Sequence, residues 1–200
     1  MTKLVLELQR AAMDNSGSIT DLLRMAVVVA TKLSLQDFSE WAVKELNGYG
    51  KEQPPEYRKV KGQLKAHNPY NGWIPVILQD SKAMERLTKR AVGQTIGQIE
   101  SLLSEKDGGI LHMPMDHQTL INVFGDTEEF QLGMVPTLLV GKSQLAGIVD
   151  AVRNKVLSWS LELESQGVLG EGLTFSRDEV ESAASVTYNI NQFTGVLGNV

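Results

Sequence analysis

Over the first fifty residues, apolar side chains recur at steps of three and four, the spacing that lines up one face of an α-helix. Leu4, Leu8 and Ala11/Ala12 form a first stripe, which ends in the polar stretch Asp14–Ser18. Ile19, Leu22, Leu23, Ala26, Val27, Ala30 and Leu33 form a second, with Ser18 or Thr20 placed to cap its first turn. Leu35, Phe38, Trp41, Ala42 and Leu46 form a third, preceded by Ser34 as the expected N-cap and carrying Asp37 in its first turn. Asn47-Gly48 supplies a left-handed stop, and Pro54-Pro55 forces an extended path into Tyr57-Arg58. Three amphipathic helices joined by short loops predict a small bundle.

The pattern changes after Gly50. Tyr57–Lys65 mixes Val60 and Leu64 with Arg58, Lys59, Lys61 and Lys65, as a half-exposed strand does. Asn68–Gly72 is dense in turn residues, and Trp73–Leu78 reads as the return strand of a β-hairpin. Pro75 cannot donate to a ladder, so that strand belongs at an edge or a bulge. A long helix is expected from Ser81 to about Glu105, its face built by Met84, Leu87, Ala91, Thr95, Ile99 and Leu102 and its end set by Gly108-Gly109. A short strand (Ile110–Met113), a helix capped by Asp116 and running to Phe124, and an extended segment Phe130–Val140 interrupted by Pro136 follow.

The most regular stripe comes next. Leu145, Ile148/Val149, Val152, Val156, Trp159 and Leu163 predict a closing helix with Asp150, Arg153, Lys155 and Glu162 on its polar face. Past Gly167 and Gly170, Ser176 and Glu179 have capping-box spacing, and Val186–Val200 alternates like a strand. The fold class is therefore α+β: an N-terminal three-helix bundle, a hairpin-containing middle, a long closing helix and a C-terminal strand. Residues 1–165 are expected to form the α+β domain. Residues 166–200 form a linker, a short helix and a strand suited to assembly or attachment.

Composition narrows the chemistry. The chain has no cysteine, which excludes disulfides, thiolate catalysis and zinc–thiolate sites. Glu7, Gln9 and Arg10 break the apolar run that a signal peptide needs, and Met25–Ala30 is far too short to span a bilayer. A cytoplasmic location without a membrane span is expected. A net charge of −5 argues against a general nucleic-acid binder, although local basic patches are compatible with it.

Gly141-Lys142-Ser143 ends an apolar segment and opens a helix, the layout of a phosphate loop. Pro136 occupies the place of that loop's first glycine, and Leu138, Leu139 and Val140 are shaped for burial, which leaves Ser143 as an N-cap. His112 and His117 stand five apart, so they converge only across the Pro114 turn; with Asp116 they are the weak catalytic candidates, and Asp126 would complete a carboxylate–imidazole site. Surface or capping roles suit these histidines better, and neither metal nor cofactor is expected. Glu105, Asp107, Asp126, Glu128 and Glu129 fall mostly in loops and read as solvated charges. Arg58, Lys59, Lys61 and Lys65, with Tyr57, Tyr70 and Trp73 opposite, have the composition of a single-strand nucleic-acid surface; a lysine-protected edge strand has the same composition.

The segment Leu35–Arg58, LQDFSEWAVKELNGYGKEQPPEYR, resembles the N-terminal part of AbiTii-type domains of bacterial abortive-infection proteins. The resemblance extends from Leu4 to about Leu163. It is carried by Asp21-Leu22-Leu23-Arg24, Trp41–Tyr49, Pro55-Glu56-Tyr57-Arg58 and the helix containing Asp150-Ala151-Val152-Arg153-Asn154-Lys155. It implies antiphage defence in which the infected cell stops growing or dies, and it carries over no catalytic residue. The preferred reading is a defence protein acting by self-association or partner binding, as a homo-oligomer, with a phage or host protein as trigger. Tyr188, Ile190, Gln192 and Phe193 are the candidate assembly residues. The alternative is a metal-dependent nuclease or nucleotide hydrolase, and a weaker one is a nucleic-acid-binding module using Arg58, Lys59, Lys61, Lys65 and Trp73.

Overall fold

The computed structural model describes residues 2–105, 108–124 and 134–186. The fold is α+β, and its contacts divide the chain into two compact units. The first comprises Met1–Pro55, Gly93–Leu102 and Val149–Val200; the second comprises Glu56–Val92 and Leu103–Ile148.

The first unit is helical. Helices α1 (Leu4–Met13), α2 (Ile19–Lys32) and α3 (Gln36–Asn47) follow the three apolar stripes. Ser18 caps α2 by accepting from the Asp21 N–H at 3.4 Å. Leu35, not Ser34, occupies the N-cap position of α3, and its side chain makes no cap; Ser34 instead takes a positive φ of 59° in the tight α2–α3 connection. Gly48 ends α3 with φ 83°, and a Cβ there would come within 2.9 Å of the Gly93 carbonyl, so glycine is required for the close approach as well as for the turn. That carbonyl accepts the Tyr49 N–H at 2.9 Å.

The core of this unit joins Val5, Leu8, Leu22, Leu23, Ala26, Val29 and Phe38 to Ile96, Ile99, Val152, Val156, Trp159 and Leu163, all buried. Phe38 stacks on Trp159 with ring centroids 3.7 Å apart, and Trp41, 3% exposed, tilts against Phe38 at 4.9 Å. Arg153 and Lys155 are not on a solvated face as expected; both are buried. The Arg153 guanidinium donates to the carbonyls of Ala11, Asp14 and Gly17, groups that the end of α1 and its exit loop leave without helical partners. Burial drives the Lys155 ammonium below its usual pKa, with the charge of Glu45 opposing the shift. Residues after Ser165 also pack in this unit. The Val5 N–H donates to the Leu169 carbonyl, and Glu179, in the capping box of the last described helix (Arg177–Ala183), accepts from the amides of Leu169, Gly170 and Ser176.

The second unit is built on β-structure. Strand β1 (Lys59–Lys61) pairs antiparallel with β4 (Lys89–Ala91). A four-stranded antiparallel sheet has the order β3-β2-β6-β5, with β2 Gln63–Asn68, β3 Gly72–Pro75, β5 Ile110–Pro114 and β6 Pro136–Gly141. The hairpin is present as β2–β3, and the Pro75-bearing strand is an outer strand. The single strand expected over Tyr57–Lys65 is instead a 3-10 turn, β1 and β2, broken at Gly62.

The long helix expected from Ser81 to Glu105 is also divided, into α4 (Ser81–Leu87), β4 and α5 (Ile96–Ser104). Asp80, not Ser81, caps α4 by accepting from the amides of Lys82 and Ala83. The interruption has a local cause. Lys89–Ala91 find a strand partner in Lys59–Lys61, Gly93 weakens any helix across it, and Thr95 and Gln98 cap a fresh start through reciprocal bonds of 3.0 and 3.1 Å.

On one face of the four-stranded sheet, Leu64 joins Met115 and Leu120, with Met84 and Leu87 of α4 and Phe124 of α6 (His117–Phe124) packed on them. Helix α7 (Lys142–Ser165) follows β6 directly and runs from residues of the second unit into residues of the first. The C-terminal strand expected beyond Val186 lies outside the described residues.

Candidate functional site

Residues directly opposite in an antiparallel ladder share a face. The register therefore places Gln63, Lys65 and His67 of β2, Trp73 and Pro75 of β3, Thr137 and Leu139 of β6, and Ile110, His112 and Pro114 of β5 together. This is the face opposite the Leu64 cluster. His67 meets Trp73 edge-on at 5.2 Å, and Trp73 meets His112 at 4.9 Å with the rings inclined by 61°. Both histidines are exposed and Trp73 is half-buried.

An open groove of about 450 Å³ lies on the same face, lined by Lys61, Gly62, Gln63, Lys65, Ile110, Leu139, Gly141 and Gln144. No carboxylate among the described residues lines it. The Gln144 side chain fixes one wall, because its Oε1 accepts the Lys61 N–H at 2.8 Å and its Nε2 donates to the Lys61 carbonyl. Gly62 permits that wall, since a methyl at this position would come within 2.5 Å of the Leu139 carbonyl. Lys65 and Lys61 make no ion pair among the described residues, whereas Lys59 is held by Glu56 at 2.6 Å and Lys89 by Glu85 at 2.7 Å. Lys61 still contributes to lowering the pKa of Glu85, behind the nearer Lys89.

The expected basic surface is thus split. Arg58 leaves it: the residue is 0% exposed, and its guanidinium donates to the Val92 carbonyl at 3.0 Å. Lys59 points outward beside Glu56, Tyr57 is half-buried in the 3-10 turn, and Tyr70 stands exposed at the hairpin tip. Lys61, Lys65 and Trp73 remain on or beside the groove face. His67, Gln63 and Gln144 join them; the alternation Gln63-Lys65-His67 was the visible signal for the first two.

The catalytic candidates do not form a shared cluster. His112 lies on the sheet face against Trp73. Asp116 caps α6, its carboxylate accepting from the Thr119 N–H at 2.9 Å and hydroxyl at 2.7 Å, and these bonds lower its pKa. His117 is the exposed first residue of that helix. Asp107, Asp126, Glu128 and Glu129 lie outside the described residues, as do Tyr188, Ile190, Gln192 and Phe193. Among the described residues, no three His, Asp or Glu side chains are grouped to hold a metal ion. The Lys142 ammonium donates to the Glu105 carbonyl at 3.0 Å instead of lining a phosphate loop. Helix α7 starts at Lys142, one residue before the expected cap Ser143.

Residues 3–188 match the AbiTii family. The chain belongs to the AbiTii family. AbiTii proteins are associated with abortive-infection antiphage defence, and the match extends past Leu163, where the recognisable sequence words end. No curated protein and no solved structure matches the chain. No helix among the described residues is long and apolar enough to cross a membrane.

Proposed function

We propose that this AbiTii protein acts in abortive infection as a binding protein that self-associates, not as an enzyme. The observation that carries the reading is the engagement of the catalytic candidates. Asp116 directs both carboxylate oxygens to Thr119, the His112 ring packs against Trp73, and among the described residues no three His, Asp or Glu side chains are grouped around them. The sheet order supports strand addition as the mode of assembly, because β3 and β5 are outer strands. The alternating sequence after Val186, with Tyr188, Ile190, Gln192 and Phe193, is the proposed donor, and Asn189, Asn191 and Gln192 would form amide ladders between stacked copies.

Phage challenge of cells carrying full-length protein, His112→Ala or a chain stopped at Ser185 tests this. Protection should survive His112→Ala and disappear with the tail. A folded His112→Ala protein that has lost protection together with bound metal would favour a metal-dependent nuclease or nucleotide hydrolase.

A further inference from the structure

The geometry points to the concave groove face of the four-stranded sheet as a binding site for single-stranded nucleic acid. Three observations carry it, and none depends on self-association. Charge comes first: Glu56–Val92 carries eight Lys or Arg against three Asp or Glu, in a chain whose net charge is −5. Two of these cations, Lys61 and Lys65, line the groove without an ion-pair partner among the described residues.

Shape comes second. The groove is open to solvent, not closed over a cavity. A small ligand is usually bound by burying most of its surface, whereas a polymer needs a channel through which it can enter and leave.

Chemistry comes third. Ile110 and Leu139 give an apolar floor, Gln63 an amide, and the Trp73–His112 pair an aromatic flank: His112 stands directly opposite Leu139 in the ladder. Lysines that take phosphates beside rings that take bases bind single strands with little sequence preference. Gln144 acts as a positioning residue, holding the Lys61 backbone at the groove wall.

The test is fluorescence anisotropy of a labelled twelve-nucleotide oligo(dT) with the full-length protein at low salt. Competitors are the same sequence as a duplex, and thymidine monophosphate. Lys61→Gln/Lys65→Gln should weaken binding at least tenfold and reduce the log–log salt slope by about 1.4, roughly 0.7 per lost phosphate contact. Lys82→Gln/Arg86→Gln removes the same charge from the exposed side of α4 and should leave affinity within twofold. Circular dichroism melts confirm that both variants are folded. The proposal is overturned by absence of saturable binding, by equal losses in the two variants, or by competition from duplex or mononucleotide as effective as that from the single strand.

Discussion

Trp73 and His112 touch across the two strands that lie between theirs in one sheet. Trp73 shares a row with His67, and His112 shares a row with Leu139 and Gln63, two pleat rows away. A flat sheet would hold their Cα atoms about 20 Å apart, from strand spacings near 4.8 Å and rises near 3.4 Å per residue. Ring centroids at 4.9 Å therefore require the sheet to coil along this diagonal. Thr137, midway between them in the register, is only 5% exposed although it lies on the groove face. The contact closes one end of that face and makes it concave.

Removing the His112 ring should loosen this closure without removing a catalyst. His112→Ala should cost about 1 kcal/mol, the scale of an edge-to-face ring contact. Urea unfolding reads the cost. A loss above about 3 kcal/mol would mean that the ring supports more than the Trp73 contact.

The helical unit depends on Trp41 and its neighbours. Trp41→Ala should destabilise the protein by about 3–5 kcal/mol, because the Phe38–Trp159 stack leaves no side chain free to fill the space. A denaturation midpoint close to that of the parent chain would show that this core can collapse around the vacancy.

Much of this architecture was legible in the sequence. The three N-terminal helix stripes, the Asn47-Gly48 stop, the Asp116 cap and the Ser176–Glu179 box depend on neighbours within a few residues, and each forms where the spacing places it. What stayed hidden depends on distant partners. Lys89–Ala91 become a strand only because Lys59–Lys61 pair with them, and Arg153 is drawn inward by carbonyls more than a hundred positions away. The groove shares that cause: Lys65 and Trp73 were readable as a basic, aromatic hairpin, but its far wall comes from β5, β6 and Gln144.

Gly62→Ala probes the groove wall. An added methyl would press on the Leu139 carbonyl and the Leu138 side chain, so a loss of about 1–3 kcal/mol is expected from overpacking. An unchanged melting temperature would show that the β1–β2 junction yields easily.

Glu179 gives a pH signature. Burial would raise its pKa, but the amides of Ser176, Gly170 and Leu169 and the Ser176 hydroxyl outweigh this and bring it from 4.5 down to about 2. The folded value lies below the unfolded one, so the stabilisation is fully present above pH 4.5 and is lost as pH falls toward 2. Glu179→Gln should therefore melt lower than the parent at pH 7, with the gap narrowing by pH 3. A gap that stays constant across that window would contradict the assignment.

Self-association is the central claim, and light scattering measures it directly. Full-length protein should run as a homo-oligomer, and a chain stopped at Ser185 should run as a monomer with the same helical content. Two monomers would contradict the account, and so would two oligomers of identical mass.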